Sequence, residues 1–495
     1  MNKKKKNMEF PKKNIPPRSP RLRVSARTLL VSFIFLTFTS CLQPDAPVIE
    51  KQELEIRQYG KPVSIIDIDP FNNTDDDAGR FFVYDIASDS IIDNALAFSN
   101  TGTVRVQPQG SGFFITGEKP SGMGIVTFTS GDKTAELRVF VRNWNASEVF
   151  RHTLYADLEN YPFDPDVEYH SDHYLVSPPI ANKRSAYQLI VNRGFHYEAP
   201  DGLSHRQIRE NVMFMGQPFG TTRVHADAPR QTPNRSICPA FHIIQIPDPF
   251  LKKDVFSFSL HYENDGDMVG GFEDRQRLEL KTMDTGQASY PGAEVHPENF
   301  MYSTGGGDTF TYRWKFRIPE DFRVSNEYTH IHQIKPEGGD SGNPTFTLTG
   351  RLLRATGREV LQLIYRGPIR DNGDPSVNWY PAEVPLEPFK GEWIRAETTI
   401  TFDNPGTYRI RLVRIRDMRV LLEYIHSPEH YEEPDPFVMF RNGNSYIRPK
   451  FGVYRRVMHM TPFGLPDPDN PVLAYLAENN EVTVLFADIE MDKLR

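Results

Sequence analysis

The sequence predicts an all-β protein, a β-sandwich followed by a larger β-jelly roll. Three observations carry that prediction. Forty Pro and 33 Gly among 495 residues punctuate the chain too often for long helices. Short runs alternating apolar and polar residues fill two blocks, one before residue 143 and one after about 240. Period two is the signature of a strand with one buried face. A hydrophobic content of 38% with 12% aromatics is enough for packed cores. The length allows two or three domains.

Residues 1–40 read as a targeting segment. Residues 1–27 hold ten Lys or Arg and one acid, and an apolar stretch runs from Thr28 to Phe38. That stretch is shorter than the roughly 20 apolar residues needed to cross a bilayer. It ends Phe38-Thr-Ser-Cys41, small residues before a Cys. The pattern resembles a bacterial lipoprotein signal, which implies a lipidated Cys41 as mature N-terminus and a tether in residues 41–50. The expected location is then the cell envelope, anchored in the outer membrane, with the face left open. An ordinary secretory signal is the alternative, and Met8 an alternative start. Removing residues 1–40 takes away ten positive charges and one negative, moving the net charge from –8 to –17. Nucleic acid is therefore not an expected partner. An anionic substrate remains compatible if its site is locally basic. Only Cys238 is left after Cys41, so no intramolecular disulfide is expected.

Residues 51–143 contain strand runs such as Arg80-Phe-Phe-Val-Tyr84, Gly124-Ile-Val-Thr-Phe128 and Ala135-Glu-Leu-Arg-Val-Phe-Val141. They resemble bacterial immunoglobulin-like domains, and this sandwich is expected to be a spacer without chemistry. Residues 144–235 form a connecting or accessory segment that could belong to the next domain. Its Glu168-Tyr-His170-Ser-Asp172-His173 lacks a recognised metal-ligand spacing and reads as a loop. Residues 236–495 are strand-rich again, for example Phe310-Thr-Tyr-Arg-Trp-Lys-Phe316 and Thr407-Tyr-Arg-Ile-Arg-Leu-Val413, and their length suits a jelly roll.

Three strings in this last block carry the chemistry: Arg277-Leu-Glu279-Leu-Lys281, His330-Ile-His332-Gln333 and Lys450-Phe-Gly452-Val-Tyr454. On regular strands Arg277, Glu279 and Lys281 share one face, as do His330 with His332, and Lys450 with Gly452 and Tyr454. Parity sends Gln333 to the opposite face. Placed in one sheet, the strings form a cationic groove that can move protons. Glycoside hydrolysis needs two carboxylates flanking the bond, and none of the strings supplies such a pair. β-Elimination on a uronate needs a neutralised carboxylate, a base for the adjacent proton and an acid for the leaving oxygen. Arg, His, Lys and Tyr meet those needs.

The same strings resemble the signature strands of jelly-roll polysaccharide lyases, the alginate lyase, glucuronan lyase and heparin lyase I group. The likeness spans about 250–490. Supporting context is Phe310 through Pro319-Glu-Asp-Phe322, and Gly391-Glu-Trp393. The resemblance implies a concanavalin-like β-jelly roll after the Ig-like β-sandwich. It implies a lyase that cleaves a uronate-containing anionic polysaccharide and leaves a 4,5-unsaturated uronate. Tyr454 and His332 are then the proton-transfer pair, with Arg277 and His330 neutralising the carboxylate. Lys450, Lys281, Glu279, Arg448 and Gln333 contact neighbouring sugars or hold those that do. His330 stands where the family has Gln, Lys281 where a second Arg is usual, and Arg448 where an aromatic often lies. Gly452 is expected to leave room for a sugar ring. No organic cofactor is implied, a structural Ca²⁺ is left open though no motif carries one, and a monomer is expected.

Each feature also has a plainer reading. A strand Arg or Glu is usually a cross-strand ion pair. Trp379 and Tyr380 could stack on sugars or simply pin their loop. Asp488-Ile-Glu490-Met-Asp492 reads as the polar face of an edge strand, which makes a hydrolase the weakest option. A non-catalytic glycan-binding protein is the stronger alternative, opposed by the presence of both His332 and Tyr454.

Overall fold

The computed structural model describes residues 53–71, 80–159, 184–185, 195–198, 243–261, 266–267, 272–282, 302–368, 378–426, 438–456 and 481–495. Cys41, Cys238 and the Glu168–His173 stretch lie outside the described residues. Apart from short 3-10 turns, the regular structure described is all strand, arranged as two β-sandwiches.

The N-terminal sandwich pairs a six-stranded sheet, built around Leu54–Gln58, Phe81–Asp85 and Gly112–Gly117, with a four-stranded sheet. In the latter, Ile65–Ile68 runs parallel to Lys133–Val141, and Met123–Ser130 pairs on the other side. Alternation decides which side chains enter the core. Val126 and Phe128 are fully buried while Thr127 and Thr129 face out. Ile56, Val83, Phe113 and Leu137 complete that core.

The second sandwich has nine strands in one sheet and eight in the other. Strand Glu481–Leu494 lies inside the nine-stranded sheet, between Lys253–His261 and Asp308–Arg317. The eight-stranded sheet places three strands side by side: the arginine strand Phe272–Thr282, the tyrosine strand Tyr446–Arg456 and the histidine strand Thr329–Glu337. Phe346–Leu353, Arg358–Arg366 and Asn378–Pro385 extend the sheet beyond the histidine strand. Between the sheets, Phe310, Tyr312, Trp314 and Phe316 pack against Leu278, Leu280, Phe451 and Val453. Each such burial is worth roughly 1.5–3 kcal/mol relative to exposure. Part of the 144–235 segment shares these sheets. Val149–Leu154 pairs with Glu481–Leu494, and Phe195–Glu198 pairs with the arginine strand.

The N-terminal sandwich covers the outer face of the nine-stranded sheet. Phe140 packs there with Val255, Trp393 and Val413. Asp67 sits 3.0 Å from Lys315 and 2.8 Å from Arg395, and Arg142 sits 3.0 Å from Glu490. The expectation that Asp488-Ile-Glu490-Met-Asp492 lies on an edge strand is corrected, because its strand is paired on both sides. Its carboxylates are buried and paired: Asp488 with Lys253 and Lys315, Glu490 with Arg142, and Asp492 with Arg151 and Arg313. Burial alone would raise the carboxyls of Asp488 and Glu490, but the cations outweigh it and hold both down at about 2. A glycosidase acid needs its pKa raised, so these groups serve packing rather than proton donation.

Candidate active site

The outward face of the eight-stranded sheet gathers the three strings. The arginine and tyrosine strands pair regularly, setting Arg277 opposite Tyr454, Glu279 opposite Gly452 and Lys281 opposite Lys450. Leu278, Leu280, Phe451 and Val453 point inward, as alternation requires. Although it faces away from the core, much of this face is closed to solvent. Glu279 is 0% exposed, Lys450 2% and Gln333 3%.

The histidine strand departs from alternation. His330 pairs with Tyr454 on one side and Thr349 on the other, yet His332 pairs with Phe451 and Leu348. This register shift is a β-bulge, which breaks the period of two. Consecutive Ile331 and His332 therefore both turn inward, and His330 and Gln333 both turn outward. His332 is 1% exposed, its ring centroid 4.3 Å from that of Trp314 and 4.9 Å from that of Phe451. Burial pushes its pKa down to about 3, so it is neutral. The expectation that His332 is catalytic is thus corrected: it is a core side chain. The expectation from parity that Gln333 points away is corrected too. Its amide donates to Glu279 Oε1.

Around the bulge the aromatic and cationic groups converge. The Arg277 guanidinium lies 4.1 Å from the centre of the Tyr454 ring, with its Nε 3.9 Å from Glu279. The His330 ring stands 5.8 Å from that of Tyr454 and stacks on Tyr328 at 4.7 Å and 14°. Its Nδ1 is 2.8 Å from the Thr349 hydroxyl. Burial first, then Arg366, Arg351 and Arg277, lower the His330 pKa to about 3. Lys335, outward on the same strand, is lowered to about 8 by burial and by neighbouring Lys450.

The remaining predicted residues separate by role. Gly452 has φ +147°, and a Cβ there would meet the Leu278 carbonyl oxygen at 2.2 Å. Its bareness thus serves the close approach of two strands, correcting the expected room for a sugar. Arg448 is anchored by Glu337 at 2.9 Å and by the Thr282 carbonyl at 2.7 Å, so it braces the sheet. Trp379 packs edge-on against Tyr424 and His426, pinning the sandwich edge. Tyr380 is 42% exposed beside the Arg351 guanidinium. The sequence reading missed Thr349, Tyr328, Arg351, Lys335 and Arg366. Thr347 and Thr349 were legible as the outward residues of an alternating run, but nothing local tied them to His330. Among the described residues no group of three or more His, Cys, Asp or Glu side chains forms a metal site.

No protein-family model matches the chain, and no curated protein does. Solved structures are similar over about half of it. An endo-β-1,4-glucuronan lyase from the fungus Trichoderma reesei is 15% identical, covering 50% of this chain and 85% of that one at a TM-score of 0.31. An alginate lyase from Pseudomonas aeruginosa is 13% identical, covering 48% and 82% at a TM-score of 0.27. An exolytic alginate lyase from Zobellia galactanivorans is 9% identical, covering 49% and 85% at 0.32. Likeness at these levels leaves the chemistry to be argued from the side chains.

Proposed function

We propose that this protein is a polysaccharide lyase acting on an anionic, uronate-containing chain. The observation that carries the reading is the pairing of His330 with Tyr454 across neighbouring strands, with the Arg277 guanidinium on the Tyr454 ring. Elimination needs two proton-transfer groups and a cation within one sugar's reach. Arg277 and Gln333 bind the carboxylate and draw charge from C5, and Glu279 fixes both side chains. His330 and Tyr454 handle the two protons. Arg351, Arg366, Lys281 and Lys335 supply the positive field that an otherwise acidic chain needs to hold a polyanion. The lipid anchor at Cys41 belongs to the same proposal as an address in the envelope.

Product mass tests the reaction class. Elimination gives fragments whose masses sum to that of the parent chain, whereas hydrolysis adds one water per cut. Fragments carrying the added water would make the protein a hydrolase. Intact chains retained on an affinity gel would make it a glycan-binding protein.

A further inference from the structure

His330 can move a proton in either direction only if its tautomer is free, and here it is not. The Thr349 hydroxyl donates its one hydrogen to Thr347 Oγ1 at 2.7 Å. A hydroxyl has a single O–H, so the 2.8 Å contact between Thr349 Oγ1 and His330 Nδ1 must be donated by the ring. A neutral imidazole with its proton on Nδ1 presents a lone pair at Nε2.

We propose that Thr349, backed by Thr347, is a positioning residue that locks His330 as its Nδ1–H tautomer and thereby makes Nε2 the acceptor of the substrate's C5 proton. The assignment rests on the lyase reading and sharpens it. A bare Nε2 cannot donate to a carboxylate, so carboxylate binding falls to Arg277 and Gln333, and His330 becomes the base. In the step, Nε2 takes the C5 proton and the C5–H electron pair becomes the C4=C5 bond. The C4–O bond breaks onto the leaving oxygen, which takes the Tyr454 hydroxyl proton. Solvent then returns the proton from His330 to Tyr454.

The surroundings keep the ring in this state until substrate arrives. Tyr328 holds one face of the imidazole. Among the described residues, the charged groups that bear on it are cations, one from each of three strands: Arg277, Arg351 and Arg366. Tyr454 is the titratable neighbour on the fourth. Burial first, and then repulsion by those guanidinium groups, disfavours a second proton in the free site. A bound uronate carboxylate offsets the cations, so His330 becomes more basic when the site is filled.

The test is the nitrogen chemical shifts of histidine-labelled full-length protein, with kinetics of Thr349→Val and Thr349→Ser. Wild type is expected to show a protonated Nδ1 and a bare Nε2 for His330 near neutral pH. Thr349→Val should lose that fixed pattern and lower kcat about tenfold, the worth of one hydrogen bond, with KM little changed. Thr349→Ser should restore both. The acid limb of kcat should lie at higher pH than that of kcat/KM. A proton on Nε2 in wild type, or a Thr349→Val protein with unchanged kcat and tautomer, would overturn the proposal. A bare Nε2 in a protein that releases no unsaturated uronate from any polysaccharide would instead sink the lyase reading and the base assignment. The Thr349 lock itself would then stand.

Discussion

The Gln333 amide reaches Glu279 across the whole width of the tyrosine strand. Glu279 lies opposite Gly452, and Gln333 opposite Lys450, so the two side chains meet above the one residue of that strand with no side chain. The contact ties the outer two of the three strands together and fixes the carboxylate that orients Arg277.

Gly452→Ala should therefore be costly. Its Cβ would fall on the Leu278 carbonyl, at a φ that L-residues rarely adopt. A loss of at least about 2 kcal/mol is expected, from strain plus strand separation, read as a lower denaturant midpoint. An unchanged midpoint would show that the two strands need not approach so closely.

The bulge makes opposite predictions for two histidines two residues apart. His330→Asn should cut turnover by roughly 10²–10⁴, the usual worth of a positioned proton-transfer group. His332→Leu keeps an apolar side chain between Trp314 and Phe451 and should leave kcat within about threefold, a difference below 1 kcal/mol. Steady-state kinetics of the two variants decides between the bulged register and the regular one.

His332 should also make the fold acid-sensitive. Its pKa is about 3 when folded, against an ordinary value of 6.5 for a solvated imidazole. Between those values the unfolded chain binds a proton that the folded one does not, so stability falls as pH drops through 6.5. The buried carboxylates Asp488 and Glu490 act in a lower window, from their ordinary values down to about 2. Urea unfolding between pH 6.5 and about 5 should thus show a smaller slope for His332→Leu than for wild type. An equal slope would place His332 outside the core.

Removing Asp67 should loosen the join between the sandwiches. Burial alone would raise its pKa, but Lys315, Arg395 and Arg142 hold it well below the carboxylate range. Asp67→Ala would take one of two carboxylate partners from each of two buried cations, leaving Lys315 with Asp488 and Arg395 with Glu397, at a cost of about 1–3 kcal/mol. Asp67→Ala with Lys315→Met should recover part of that. Denaturation of the single and double variants gives the comparison, and equal stability of wild type and Asp67→Ala would refute the join.

Much of this molecule was legible in its sequence, and the misses share a cause. Alternation in Arg277–Lys281 and in Lys450–Tyr454 placed those side chains correctly, since both strands keep period two against each other. It failed at His330–Gln333 because a bulge depends on the neighbouring strands, Phe346–Leu353 and Tyr446–Arg456, which a reading of one strand does not contain. The pairing of Asp67 with Lys315 was hidden likewise, its partners lying far apart in the chain. Asp488–Asp492 looked like an edge because the strand is polar on one face. That face is polar because cations from four other segments meet it.

Elimination by the Arg277, His330 and Tyr454 cluster leaves an unsaturated uronate at each cut. The ultraviolet absorbance of that product reports it directly, followed with wild type and Tyr454→Phe on alginate, glucuronan, heparan-type, chondroitin-type and ulvan-type chains. A rise is expected with wild type on one of these chains, lost in Tyr454→Phe while binding persists. A flat trace on every chain, or an equal rise with Tyr454→Phe, would contradict it.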